Sequence, residues 1–103
     1  MLICWCNTST LDSAREIARH IVQKQLAACV SIMPGTISLY KWENELHEDS
    51  ECTLMIKTTT ENKENLTTAI QSKHTYDVPE IIFTEVVDGS DDYLAWVRKA
   101  CSL

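Results

Sequence analysis

A chain of 103 residues, 45% hydrophobic with only two glycines and two prolines, has the apolar content of one compact domain and excludes a low-complexity or linker-rich protein. Fifteen acidic residues against nine basic ones give a net charge of -6, which repels phosphate backbones and argues against a nucleic-acid partner. No apolar run reaches about 18 residues, and "MLICWCNTST" lacks a basic stretch, a long apolar segment and a cleavage site, so no membrane insertion or export is expected and the expected compartment is cytoplasmic.

The opening "LICWC", bounded by polar Asn7 to Thr10, reads as a central strand. Ala14, Ile17, Ala18, Ile21 and Val22 then recur at helical spacing, with Arg15, Glu16, Arg19 and Lys24 on the other face and Ser9 with Asp12 positioned to cap the start. After "LAACVSIM", Pro34 and Gly35 mark a bend. "TISLYKW" and "ECTLMIKT" flank the polar "ENELHEDS" as two antiparallel strands, with Asn44 suited to positive φ in the turn. These arms, from about Thr36 to Thr58, exceed the five or six residues of an average strand and are expected to overhang the domain.

"TENKENLTTAIQSK" predicts a second helix capped by Thr60, with Leu66, Ala69 and Ile70 as its apolar stripe. It should end near His74, because Pro79 favours extended backbone at Val78 and "EIIFTEVV" reads as a fourth strand. A terminal helix, "DDYLAWVRKAC", places Tyr93, Trp96, Val97 and Ala100 on one side. The order β-α-β-β-α-β-α gives an α+β fold over residues 1–103. Its first six elements match the ferredoxin-like split βαβ arrangement, with a long second hairpin and an additional C-terminal helix.

The block "LAACVSIMPGTISLYKWENELHEDSECTLMIKT", followed by "KHTYDVPEI" and "DDYLAWV", resembles the CutA family, named for divalent cation tolerance. The pieces AAC, PG, S-x-Y-x-W, IKT, H-x-Y-x-VPE and YL-x-W occur in that order over nearly the whole chain. The resemblance implies a homotrimer whose long hairpins pair across subunits, an association with copper tolerance, and a likeness to the PII signalling proteins, which hold small ligands between subunits. Packing such hairpins together would remove apolar area from water at roughly 25 cal/mol per Å² and give high stability.

The same resemblance assigns copper ligands to a cysteine ending the first strand and to two successive histidines after the second helix. Cys6 and His74 match; Lys73 stands in the first histidine's place, Thr75 replaces a common proline and Asn44 a common glycine. Thiolate and imidazole suit copper, with zinc or another divalent cation as alternatives, and two such ligands make a weak site. Cys4 shares a strand face with Cys6 and offers either a further thiolate or a small buried hydrophobe. The five cysteines, an odd number without CxxC spacing, do not predict a disulfide framework.

A PII-like binding module is the second reading. In it a subunit-boundary cleft lined by Tyr40, Trp42, Lys57, Tyr76, Glu80 and Tyr93 holds a small anionic molecule against the lysine and the rings, although the aromatic pair Tyr40 and Trp42 equally suits an interface between hairpins. Asp77, Glu80, Lys57 and His74 offer acid and base groups. With no nucleophile elbow, phosphate-binding glycine loop or closed zinc signature, however, no enzyme is expected.

Overall fold

The expected first strand forms as β1 (Leu2–Thr8), and the helix after it as α1 (Leu11–Gln23). They belong to a computed structural model that describes residues 1–102. The remaining elements are β2 (Cys29–Trp42), β3 (Glu45–Thr58), a short 3-10 turn (Thr60–Asn62), α2 (Lys63–Lys73), β4 (Ile82–Glu85) and α3 (Asp91–Ala100). The strands make one antiparallel-paired sheet in the order β2-β3-β1-β4. β3 thus lies between β1 and β2, which is the split βαβ topology expected from the sequence.

Alternation along the strands assigns the two sheet faces. Cys4, Cys6, Leu54 and Ile56 face α1 and α2, where they pack with Ala14, Ile17, Ile21, Leu66 and Ile70 in a closed core. Polar groups in that layer are paired: Thr8 donates to the Thr10 carbonyl at 2.9 Å and Thr58 to the Leu26 carbonyl at 2.7 Å. Val97 of α3 starts a smaller cluster with Ala28 and Cys101, whereas Tyr93 and Trp96, expected on the same side, pair with each other at 5.7 Å and stay exposed.

Burial pushes the Cys4 and Cys6 thiols up to about 12 from the ordinary 9.0; Cys6 adds to the rise at Cys4, and the charges of Glu80 and Glu51 add to it at Cys6. The folded state therefore holds both thiols protonated. The stability this supplies is complete below pH 9.0 and is lost as pH rises through about 12. The urea midpoint is expected to fall between about pH 8 and about pH 10.5, with a shallower slope in Cys4→Ala. Equal slopes would contradict this assignment.

Several local expectations need correction. Thr10, not Ser9, caps α1 by accepting the Ser13 N–H at 3.1 Å, because Thr10 is the residue in extended backbone (φ -134, ψ 157) just before the first turn. The second helix opens through the 3-10 turn, and Asn62 before α2 makes no side-chain cap. Pro34 and Gly35 do not end a segment. The strand runs on through a register shift between Pro34 and Thr36, with Gly35 at φ +85.

Nor is "ENELHEDS" a polar end. Only Glu43 and Asn44 form the turn, both at positive φ (50 and 65), as a tight two-residue hairpin of primed type requires, and β3 begins at Glu45. The hairpin is therefore two 14-residue strands, longer than expected. It stretches the molecule to 46 × 26 × 21 Å, with a radius of gyration of 14.3 Å; a compact chain of this length has about 13 Å. β4 is conversely short and pairs only with Leu2 to Trp5, leaving the far end of that edge of β1 free for the chain that follows α2.

Candidate functional site

The turn at Glu43 and Asn44 fixes the register of the arm: Trp42 faces Glu45, Tyr40 faces His47, Ser38 faces Asp49 and Thr36 faces Glu51. One face of the arm consequently carries Tyr40, Trp42, His47, Asp49 and Glu51. The other carries Ile37, Leu39 and Leu46, which are 65%, 61% and 71% exposed. On the first face Tyr40 stacks on His47 at 5.4 Å and its hydroxyl donates to Asp49. At the foot of the arm Thr36 donates to Thr53 at 2.6 Å and Thr53 to the Asn7 side-chain oxygen at 2.8 Å, tying arm to sheet.

The opposite wall is the stretch after α2. The helix ends as the His74 N–H reaches the Ile70 carbonyl and the backbone turns extended (ψ 146). The His74 ring then crosses to the free edge of β1, where Nε2 lies 2.7 Å from the Asn7 carbonyl, while Nδ1 receives the Tyr76 N–H at 3.0 Å. A carbonyl only accepts, so Nε2 carries the hydrogen and Nδ1 does not. Tyr76 packs on the His74 ring at 4.7 Å and donates its hydroxyl to Glu51 at 2.7 Å. This latch holds residues 74–80 against the arm and leaves a groove of about 780 Å³ between them.

Four of the six expected ligand residues, Tyr40, Trp42, Tyr76 and Glu80, line this groove. Lys57 and Tyr93 do not. Lys57 lies on the sheet face away from α1 and α2, where its amine donates to Ser31 at 2.8 Å, and Tyr93 sits on α3 beside Trp96. Asp49 and Glu51, which the sequence reading passed over, and Asp77, named there only as an acid–base group, join Glu80 in the lining, and no lysine or arginine does. Within one chain the groove is therefore acidic; the anionic ligand was expected in a cleft between subunits. Both phenols register that field. The Tyr40 hydroxyl is raised by its bond to Asp49, then by desolvation and nearby charge; Tyr76 is raised by burial, then by its bond to Glu51 and the surrounding negative charge.

The expected metal pair lies behind the same wall. Cys6 and His74 meet at one atom, the Asn7 carbonyl oxygen, which takes the Cys6 thiol at 3.8 Å as well as the imidazole. Their chemistry suits a soft cation, but both His74 nitrogens are engaged and Cys6 is fully buried and protonated. Lys73 provides no third donor here; it lines a surface depression beside α1 with Asp12 and Arg15. Among the described residues no three His, Cys, Asp or Glu side chains gather in a metal-holding group. The pair thus fits a metal only as a two-donor set that opens to receive it.

The sequence model of a family described as "CutA1 divalent ion tolerance protein" matches residues 2–100. The chain belongs to the CutA1 family. It is 43% identical over 88 residues to the divalent-cation tolerance protein CutA of Thermus thermophilus, covering 85% of each chain. With the CutA homologue of Danio rerio it shares 43% over 94 residues, covering 91% of this chain and 63% of that one. It spans 54% of the chloroplastic CutA protein of Arabidopsis thaliana. Among solved structures, the Thermus thermophilus CutA1 superposes with a TM-score of 0.95 at 37% identity over 99% and 100% of the two chains, and that of Oryza sativa at 0.96 and 33% over 98% and 93%.

The ferredoxin-like α+β fold expected from the motifs is thus the fold of solved CutA1 proteins. The family is named for tolerance of divalent ions and not for a reaction. No helix among the described residues is long and apolar enough to cross a membrane. Relatives differ in compartment: one is named chloroplastic, and a solved CutA of Archaeoglobus fulgidus is described as periplasmic.

Proposed function

We propose that this CutA1 protein is a non-enzymatic, cytoplasmic homotrimer that contributes to divalent-cation tolerance by binding copper, or a similar ion such as zinc, weakly at Cys6 and His74. The observation that carries the reading is the convergence of these two side chains on the Asn7 carbonyl, one from the end of β1 and one from the end of α2. An entering ion displaces the Cys6 proton and one hydrogen bond of His74, so affinity is modest at neutral pH. Assembly is supported by the arm face of Ile37, Leu39 and Leu46, three large apolar side chains that stand mostly exposed.

Calorimetric titration with copper tests the site. Binding is expected in the wild type and absent in Cys6→Ser/His74→Ala. Because the thiol is held protonated up to about 12, affinity should rise roughly tenfold per pH unit near neutrality, as one proton leaves for each ion bound. Binding that survives the double substitution unchanged, or that is flat with pH, contradicts the assignment.

A further inference from the structure

We propose that Cys29 is a peroxide-sensitive thiol and that the Lys57 amine captures its oxidised form in a reversible sulfur–nitrogen bond. The pair lies apart from Cys6 and His74 and does not depend on the metal reading. Register brings the two side chains together. Cys29 opens β2 directly opposite Lys57 of β3, and the Ala28 N–H, bonded to the Lys57 carbonyl at 2.9 Å, pins that end of the ladder. The Lys57 Nζ lies 3.8 Å from the Cys29 Sγ and donates to the Ser31 hydroxyl at 2.8 Å. It joins no ion pair: the one among the described residues is Arg15 with Asp12 on α1. The amine is thus held beside the sulfur by a neutral hydroxyl and is not committed to a carboxylate. Of the five thiols, Cys4, Cys6, Cys52 and Cys101 are buried and Cys29 alone is half-buried, so a small oxidant meets Cys29 first. Both partners belong to neighbouring strands of one chain, and their contact does not depend on how the hairpin arms meet other copies.

The oxidant is hydrogen peroxide. The Cys29 thiolate attacks one peroxide oxygen, the O–O bond breaks, and the departing hydroxide takes up the proton the thiol gave, leaving as water and a sulfenic acid on sulfur. Sulfenic acids condense with a neighbouring thiol or nitrogen. Here the neutral Lys57 amine attacks the sulfur, an S–N bond forms, the S–O bond breaks, and the hydroxyl leaves as water with a proton from the amine. The sulfur has then lost two electrons to the peroxide, and the bridge holds no oxygen. A small thiol reverses the step by attacking the sulfur: the S–N bond breaks, the amine takes the proton, and a second thiol resolves the mixed disulfide to return Cys29. Capture by Lys57 therefore stops the sulfur short of the irreversible sulfinic acid.

Mass spectrometry of the native full-length protein after brief treatment with hydrogen peroxide, with dimedone present to label sulfenic acid, tests the proposal. The expected product is an unlabelled chain lighter by the mass of two hydrogen atoms, which digests to a cross-linked peptide pair joining Cys29 to Lys57 and regains its full mass with dithiothreitol. Lys57→Arg keeps the positive charge but offers no neutral amine, so its Cys29 should carry dimedone and, without dimedone, go on to sulfinic acid. Lys57→Gln repeats that result without the bulk of arginine, and Cys29→Ser should show neither bridge nor label. An unmodified Cys29 in the native protein, equal dimedone labelling of the wild type and both lysine variants, or a loss of two hydrogens traced to a disulfide would overturn the assignment.

Discussion

Replacing Ile37 and Leu39 together by aspartate is expected to reduce the native mass from that of the proposed trimer to that of one chain while leaving the subunit folded. Both side chains stand largely exposed on the arm, at 65% and 61%. Side chains of this size contribute about 1.5–3 kcal/mol each when an interface removes them from water. A carboxylate at the same place must be desolvated without a partner, at a cost of several kcal/mol. Summed over the copies of the proposed trimer, the change outweighs any ordinary association energy. Light scattering should report a mass near 11.7 kDa for the variant, with far-ultraviolet circular dichroism unchanged. A variant that stays trimeric would mean that the arm docks by its other face.

The same methylenes removed from the core should have the opposite consequence. Ile56, fully buried on β3 between Cys4 and Val30, belongs to the cluster shared with α1 and α2. Ile56→Ala is expected to cost about 2–5 kcal/mol, the transfer of the lost groups plus the cavity they leave. Out of a total in the range of about 5–15 kcal/mol this is a large share. Measured in the Ile37→Asp/Leu39→Asp background, urea unfolding does not depend on assembly. A similar truncation on the uncovered arm face, Leu46→Ala, should there cost less than about 0.5 kcal/mol. A loss below about 1 kcal/mol for Ile56→Ala would contradict the core described for the helix-facing side of the sheet.

Much of the fold was legible because short-range chemistry and tertiary packing agree. The period of Ala14, Ile17 and Ile21 became the buried face of α1, the primed turn formed at Asn44, and α2 stopped at Lys73. What misled was local polarity. "ENELHEDS" reads as a loop, yet strand pairing with β2 extends almost to the turn, because an arm standing clear of the core needs no apolar alternation on its solvated face. Pro34 and Gly35 read as a break, and the strand absorbed them as a bulge.

The candidate site divides in the same way. Tyr40, Trp42, Tyr76 and Glu80 were expected to line one cleft, and in the structure they line one groove. Asp49 and Glu51 were missed although a signal existed: once the hairpin closes on Glu43 and Asn44, Asp49 must stand opposite Ser38 and share the face of Tyr40. Lys57 was expected in a cleft at the subunit boundary; within one chain its register opposite Cys29 puts it at the other end of β3 from the groove. The engagement of both His74 nitrogens depends on how the chain leaves α2, which no spacing in the sequence encodes.

The measurement that bears most directly on all of this is the native mass of the wild-type chain at micromolar concentration by multi-angle light scattering. If uncovered hairpin faces close on one another, the mass is three times the 11.7 kDa of the chain. A value of 11.7 kDa, unchanged on concentration, would contradict it.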